Sequence, residues 1–269
     1  MTPCIRTMPK ILQILGLATI SAWTFAVCAV ALPAPGMVRI ADGTYRPFFR
    51  AAGDPKEVPV KAFALDILPV TNGEFLEFVR THPQWQKSRV KHLFADESYL
   101  KNWAGDLDPG TNAPLKAPVT FVSWFAAKAY AKSHGKRLPT VAEWEYAALA
   151  GPTRPDGEND PEFKRRVYQW YVTPSPAKIG PVGLDQPNFW GVHDLHGLVW
   201  EWVADFNTAL VTGDARGDNG LDRQLFCGAG SQGARDVENF PAFMRYGFRS
   251  SLKADYCVHN LGFRCAKDL

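Results

Sequence analysis

The chain has 269 residues, of which 46% are hydrophobic and 13% aromatic, and its net charge is +3. The lysines and arginines are dispersed and form no basic stripe, which argues against nucleic acid as a partner. No repeat or Ser/Gly-rich linker divides the sequence, and 21 Pro and 22 Gly predict a backbone rich in irregular loops.

The first 31 residues have the pattern of an export signal. Two basic residues precede a nearly uncharged apolar run at 11–29, and Ala29-Val30-Ala31 fits a small-x-small cleavage site. The alternative is an uncleaved membrane anchor, since the run approaches spanning length. We favour cleavage because polar residues dilute the run and two prolines follow it. We therefore expect a periplasmic or secreted protein without a membrane anchor, folded as one domain from 37 to 269.

The mature chain begins with predicted strands and then capped helices. Alternating stretches predict strands at 37–48 and 58–68. Three helices are expected next, each beginning at a side chain that can accept a hydrogen bond from a free backbone N–H. Their starts are Thr71 or Asn72, Ser123 and Thr140. Beyond these, a polar surface loop is predicted at 151–161, followed by loops and short strands, among them 199–204, 225–229 and 262–267.

The most specific segment is 135–148, which reads GKRLPTVAEWEYAA. Thr140 and Glu143 within it form a capping box, the reciprocal pairing of a helix start. The string resembles the signature of the formylglycine-generating enzyme family, the sulfatase-modifying factors. Four further segments carry the same resemblance in the same order, namely 68–78, 118–130, 194–202 and 260–266. The resemblance implies an α+β domain related to the C-type lectin fold, with low regular secondary structure and a Trp-rich core whose indole N–H groups need internal partners.

The segment 194–202 is the best candidate for a calcium site. Calcium prefers carboxylate and carbonyl oxygens in a tight loop. Asp194 and Glu201 can supply carboxylates, and Gly197 permits a sharp turn. The family resemblance implies that calcium is bound by these two side chains and by the carbonyls of Gly197 and Val199. The alternative is a turn into a buried strand, with Glu201 in a salt bridge.

The family's activity depends on two cysteines that follow a Gly-Gly-Ser strand, hold copper(I) as thiolates and oxidise a substrate cysteine with dioxygen. The matching strand is Cys227-Gly-Ala-Gly-Ser231, and residues 232–256 contain no cysteine. A copper-thiolate site cannot form in this segment without thiols. The sequence therefore argues against formylglycine formation by the family's usual route.

Three cysteines remain in the mature chain, and their role is open. Cys227, Cys257 and Cys265 could join His259 in a copper or zinc site. Alternatively, two of the cysteines form a disulfide and His259 lies in a solvated turn.

The segment that replaces the thiols is rich in arginine and aromatic residues. Arg235, Arg245, Tyr246 and Arg249 are of the types that bind a peptide backbone or an anion at interfaces. The alternative is a structural network that satisfies loop carbonyls.

The segment around 227–231 and 240–251 resembles the accessory proteins, often called NirV, that accompany copper nitrite reductases in denitrifying bacteria. The resemblance implies an exported accessory or maturation protein that binds a peptide or protein partner, such as a periplasmic copper enzyme. The alternative is a metal-dependent oxidase of the same fold, acting on protein cysteine through a rebuilt site around Cys227.

Overall fold

The structure, a computed structural model, describes residues 34–48, 55–207 and 239–269. The chain divides into two compact units, Met1–Ala31 and Leu32–Leu269. The first unit lies outside the described residues, so cleavage after Ala31 stays a prediction. In the part of the chain that the structure describes, no helix has the length and apolar character needed to cross a bilayer.

The described strands are short and form three small sheets. They are β1 (Met37–Ile40), β2 (Gly43–Tyr45), β3 (Val58–Val60), β4 (Phe63–Asp66), β5 (Trp200–Trp202), β6 (Leu261–Phe263) and β7 (Ala266–Asp268). One sheet has the order β1-β4-β7 with antiparallel neighbours, β2 pairs antiparallel with β3, and β5 pairs parallel with β6. Each strand predicted near the start of the domain is interrupted, so that 37–48 and 58–68 yield two strands apiece. The strand predicted at 225–229 lies outside the described residues.

Five α-helices are described, with a short 3-10 turn at Pro83–Trp85. They are α1 (Asn72–Thr81), α2 (Trp124–Ser133), α3 (Val141–Ala148), α4 (Pro161–Val172) and α5 (Phe240–Ser251). The three predicted starts are confirmed. Thr71 and Thr140 each complete a capping box, and Ser123 accepts from the N–H of Ala126.

Helices α4 and α5 contradict the prediction of loops and short strands alone after residue 151. α4 begins where Asp160 accepts from two free backbone N–H groups and Pro161 supplies a preset φ. α5 begins at the Asn239 cap, and its buried positions are Ala242, Arg245 and Arg249. Apolar residues do recur at helical spacing in α5, at Phe240, Met244 and Phe248, and the sequence interpretation missed this period.

A Trp-rich core joins these elements, and four of its indole N–H groups have internal acceptors as expected, whereas the buried N–H of Trp190 has none among the described residues. The pairs are Trp103 with Asn72 Oδ1, Trp124 with Val203 O, Trp144 with Glu201 Oε2 and Trp202 with Val122 O. These bonds join loops to helices and strands across long sequence separations. The core is therefore fixed by directional contacts as well as by apolar packing. The α+β class is confirmed.

Candidate functional site

The candidate site is the place where α5 packs on β5, because α5 occupies the segment in which the resemblance would put two thiols. The rings of Trp200 on β5 and Phe248 on α5 lie 4.2 Å apart between centroids. The space between these elements and α3 is a void of about 10 Å³. Such a volume admits about one water molecule. Among the residues that the structure describes, this void beneath α5 has no room for a substrate.

A buried carboxylate holds α5 in place. Glu145 of α3 is 6% exposed and accepts from Arg245, with Nε to Oε1 at 2.9 Å and Nη2 to Oε2 at 2.8 Å. Arg249, one helical turn further along α5, donates from Nη1 to the same Oε1. The remaining Nη1 of Arg245 donates to Tyr171 Oη at 3.2 Å. α3, α4 and α5 are thus joined through one ionic network.

The ring of Trp144 lies beneath both guanidinium groups, with its centroid 5.8 Å from Arg245 and 5.0 Å from Arg249. Cation–π attraction of this kind strengthens when the groups are removed from water. Burial acts to raise the pKa of Glu145, but the positive charges of the two arginines outweigh burial and lower it to about 2. Burial raises the pKa of Tyr171 to about 12, so its hydroxyl stays neutral. The network therefore carries one net positive charge at neutral pH.

Two of the residues predicted to bind a partner, Arg245 and Arg249, are buried. Arg245 and Arg249 lie in the internal network, the alternative that the sequence had left open, because both pair with buried Glu145. Tyr246 is half-buried, and burial raises the pKa of its hydroxyl. Arg235 lies outside the described residues. A partner surface on α5 stays a prediction.

Glu201 is also committed to an internal ion pair. Its two oxygens accept from Arg264 Nε at 3.0 and 2.8 Å, Oε1 accepts from Arg264 Nη2 at 2.8 Å, and Oε2 accepts from Trp144 Nε1 at 2.7 Å. Both charged side chains are fully buried. A carboxylate has about four acceptor sites, and all are used here. The structure thus has the arrangement given above as the alternative to calcium binding, in which Glu201 forms a salt bridge.

The other predicted calcium ligands lie in a tight turn before β5. Asp194 is buried, has φ of 60°, and accepts from the N–H of Gly183 through Oδ2 at 2.6 Å. Burial raises the pKa of its carboxyl group. Gly197 has φ of 117°, and a Cβ there would come within 3.1 Å of Asp185 Oδ2. The turn needs glycine, as expected.

A calcium ion does not fit Glu201 in this arrangement, because Arg264 already fills the carboxylate and adds a neighbouring positive charge. The described residues include no group of three or more His, Cys, Asp or Glu side chains placed to hold a metal. Calcium in this turn would depend on Asp194 and on the carbonyls of Gly197 and Val199. Calcium binding stays a prediction.

The cysteines that the structure describes are both buried. Cys257 and Cys265 are both free thiols, so they do not form a disulfide with each other. Burial raises the pKa of each thiol, and a nearby carboxylate, Asp96 or Asp66, raises it further. Metal ligation needs the thiolate. His259 is exposed, and Cys227 lies outside the described residues.

Glu145 is the principal site residue that the sequence interpretation missed. It lies four residues after Val141 and three before Ala148, which puts it on the apolar face of a predicted helix. A charge on such a face requires a buried partner. The sequence signal for that buried partner was the pair Arg245 and Arg249, which lie one helical turn apart.

His196 lies beneath the same network, and its titration is expected to make the stability of the folded protein depend on pH. Its ring is buried, Nε2 donates to Ala148 O at 3.1 Å, and Nδ1 has no partner within the described residues. Burial, with the positive charge of Arg245 as the next cause, lowers the pKa of His196 from 6.5 to about 3. Only the unfolded chain takes up this proton between those pH values, so protonation favours unfolding there.

Stability is therefore expected to fall below pH 6.5, with His196 contributing about 1.4 kcal/mol per pH unit. His196→Gln keeps an N–H donor for Ala148 but cannot titrate. Urea unfolding at pH 6.5 and 4.5 should show that the wild type loses about 2–3 kcal/mol more than the variant. Equal losses would mean that His196 is not held neutral in the folded protein.

Comparison with known proteins finds a matching family and similar proteins. A family described as sulfatase-modifying factor enzyme 1-like domain matches residues 26–269. The chain is 32% identical over 268 residues to the inactive C-alpha-formylglycine-generating enzyme 2 of Bos taurus, covering 85% of each chain. It is 37% identical over 253 residues to the formylglycine-generating enzyme of Streptomyces coelicolor, covering 78% of this chain and 80% of that one. Among solved structures, PvdO from Pseudomonas aeruginosa is 21% identical with a TM-score of 0.48, over 87% of this chain and 94% of the other.

Proposed function

Because the chain belongs to the sulfatase-modifying factor enzyme 1-like family, we propose that it is an exported member that binds a polypeptide without oxidising it. It acts as an accessory or maturation protein for a periplasmic copper enzyme such as nitrite reductase. In this proposal the copper belongs to the partner, and the accessory protein recognises the partner's polypeptide.

One observation carries this proposal. The segment 232–256, where the family resemblance puts the catalytic thiols, contains no cysteine, and its described part forms α5. Arg245 and Arg249 of that helix are drawn inward by Glu145. A helix held in this way supports a fixed scaffold for binding better than an open oxidase centre.

The similar proteins include one named as inactive and one named as an enzyme. One with 32% identity is named as inactive, and another with 37% identity is named as a formylglycine-generating enzyme. Overall similarity therefore does not separate the two functions. The residues of the site support the binding function, because the described thiols are buried and neutral.

The proposal predicts a complex with the copper enzyme and no change in the chemistry of its cysteines. Purified mature protein would be mixed with copper nitrite reductase in its copper-free and copper-loaded forms. Complex formation would be followed by analytical ultracentrifugation. We expect binding to the copper-free form and weaker binding to the loaded form, because an accessory protein must release its mature product.

An unrelated periplasmic copper protein serves as the control in that experiment. The absence of a complex with either form of nitrite reductase, at concentrations up to about 100 μM, would reject this partner, since such weak affinity lies outside that of ordinary specific complexes.

A further inference from the structure

A cleft of about 260 Å³ lies away from α5 and is formed by loops from four parts of the chain. The residues that bear on its chemistry are Lys101, Asn102, Phe121, Lys178 and His259. No residue of its lining belongs to the Glu145 network. Its volume is close to that of small ligand pockets, and its lining mixes polar with apolar groups.

The wall of the cleft is braced from the core. Asn72, at the start of α1, donates to the carbonyls of Pro114, Ala117 and Pro118 at 3.1–3.3 Å. Its Oδ1 accepts from Trp103 Nε1 at 3.0 Å. These bonds fix the 112–118 loop against the segment that carries Lys101 and Asn102. The cleft is therefore a preformed feature of the fold.

Two residues beside the cleft have an uncommon backbone conformation. Leu100 has φ of 46° and Phe121 has φ of 56°, and the N–H of Leu100 donates to the carbonyl of Phe121 at 2.8 Å. Bulky side chains rarely adopt positive φ, and such conformations concentrate at ligand clamps and active sites. This pair turns the neighbouring Lys101 and Asn102 toward the cleft.

The lining of the cleft is positively charged. It includes Lys101 and Lys178 but no Asp or Glu. Neither lysine makes an ion pair with another residue in the described ranges. His259, at the same cleft, is exposed and can add a donor. An anionic group with several acceptors is the complementary ligand.

Asn102 indicates a second property of the ligand. Its Oδ1 is buried and has no hydrogen-bond partner within the described residues. An unsatisfied buried acceptor destabilises the free protein. Rotation of the side-chain amide would present this oxygen to a ligand N–H. The complementary ligand therefore brings a donor as well as a negative charge.

We propose that this cleft binds an extended acidic segment of polypeptide, with an Asp or Glu carboxylate at Lys101 and Lys178 and a backbone N–H at Asn102. A polypeptide supplies both groups within one residue, and the exposed apolar face of the lining accommodates the chain around them. This inference rests on the proposed function and specifies what the partner presents.

The test uses two blocked pentapeptides, Ala-Ala-Asp-Ala-Ala and Ala-Ala-Asn-Ala-Ala, titrated into the mature protein by NMR at low salt. The Asp peptide is expected to bind about tenfold more tightly, and this preference should shrink at high salt because the lysines are exposed. Lys101→Gln combined with Lys178→Gln should remove the preference. Lys91→Gln, an exposed lysine outside the cleft, should leave it unchanged.

A second variant separates the two contacts. Asn102→Leu is expected to weaken both peptides by the same severalfold factor, since it removes the partner of a backbone N–H and not of the carboxylate. Three results would each overturn the proposal. They are equal affinity of the wild-type protein for the two peptides, no binding of either peptide, and a preference for the Asp peptide that the double lysine variant retains. Binding of free N-acetylaspartate as tight as that of the Asp peptide would overturn its polypeptide part.

The outcome can be separated from that of the proposed function by testing the double lysine variant against nitrite reductase. A complex that survives the two substitutions would refute the cleft as the recognition site while the accessory function stands. A lysine-dependent preference for the Asp peptide, without any nitrite reductase complex, would refute that partner while the cleft stands.

Discussion

Replacing Glu145 by glutamine is expected to remove about 3–5 kcal/mol from the free energy of unfolding. The substitution keeps the shape of the side chain but leaves Arg245 and Arg249 buried without a counter-charge. A loss of this size is a large part of the stability of an ordinary domain. Urea unfolding followed by far-ultraviolet circular dichroism would measure it, because Trp144 lies too close to the change for fluorescence to be neutral.

Glu77→Gln is the matched control, since Glu77 pairs with Arg80 on the surface, where both side chains are about half exposed or more. Its loss should stay below about 0.5 kcal/mol. Replacing Glu145, Arg245 and Arg249 together by apolar residues of similar volume should recover much of the loss, because no buried charge then remains. If Glu145→Gln costs as little as the control, α5 does not depend on this network.

The second large effect is expected for Glu201→Gln, which leaves fully buried Arg264 without its carboxylate. A loss of about 3–5 kcal/mol is predicted, again from an uncompensated buried charge. The measurement is urea unfolding of wild type and variant, each with calcium and with chelator. The loss should be the same under both conditions, because Arg264 already contacts both carboxylate oxygens of Glu201.

A loss that appears in calcium but vanishes with chelator would contradict this account and restore Glu201 as a calcium ligand. The wild type in the same experiment tests calcium binding at any site. A ligand that binds only the folded protein stabilises it by about 2.7 kcal/mol at a hundredfold excess over its dissociation constant. Asp194→Asn would then show whether such a gain depends on the turn before β5.

Much of the fold could be predicted because its signals are local. The helix starts at Thr71, Ser123 and Thr140 depend on hydrogen bonds within a few residues, and such patterns are visible in the sequence. Helix α5 was missed although Phe240, Met244 and Phe248 recur at helical spacing, and its own sequence did not show that two arginines would be buried on it. Those arginines are stable there only because Glu145 lies about a hundred positions earlier in the chain.

The site was predicted less well than the fold because its contacts also join residues that are distant in the sequence. A carboxylate in a glycine turn is compatible with calcium or with a salt bridge, and the choice for Glu201 depends on Arg264, which is distant in sequence. The thiols of Cys257 and Cys265 could be counted from the sequence, but their burial and raised pKa values depend on packing against Asp96 and Asp66. Asn102 and the lysines of the cleft belong to no sequence motif, since two segments distant in sequence bring them together.

The measurement that tests the central claim most directly is conversion of a cysteine to formylglycine. Mature protein would be incubated with copper(I), dioxygen and a sulfatase-type peptide, with the Streptomyces coelicolor enzyme as a positive control, and the product would be followed by mass spectrometry. The account predicts no aldehyde product, because residues 232–256 contain no thiol and the described cysteines are held as buried neutral thiols. Conversion that Cys227→Ser abolishes, and that Cys257→Ser and Cys265→Ser leave intact, would contradict it by showing an oxidase rebuilt around Cys227.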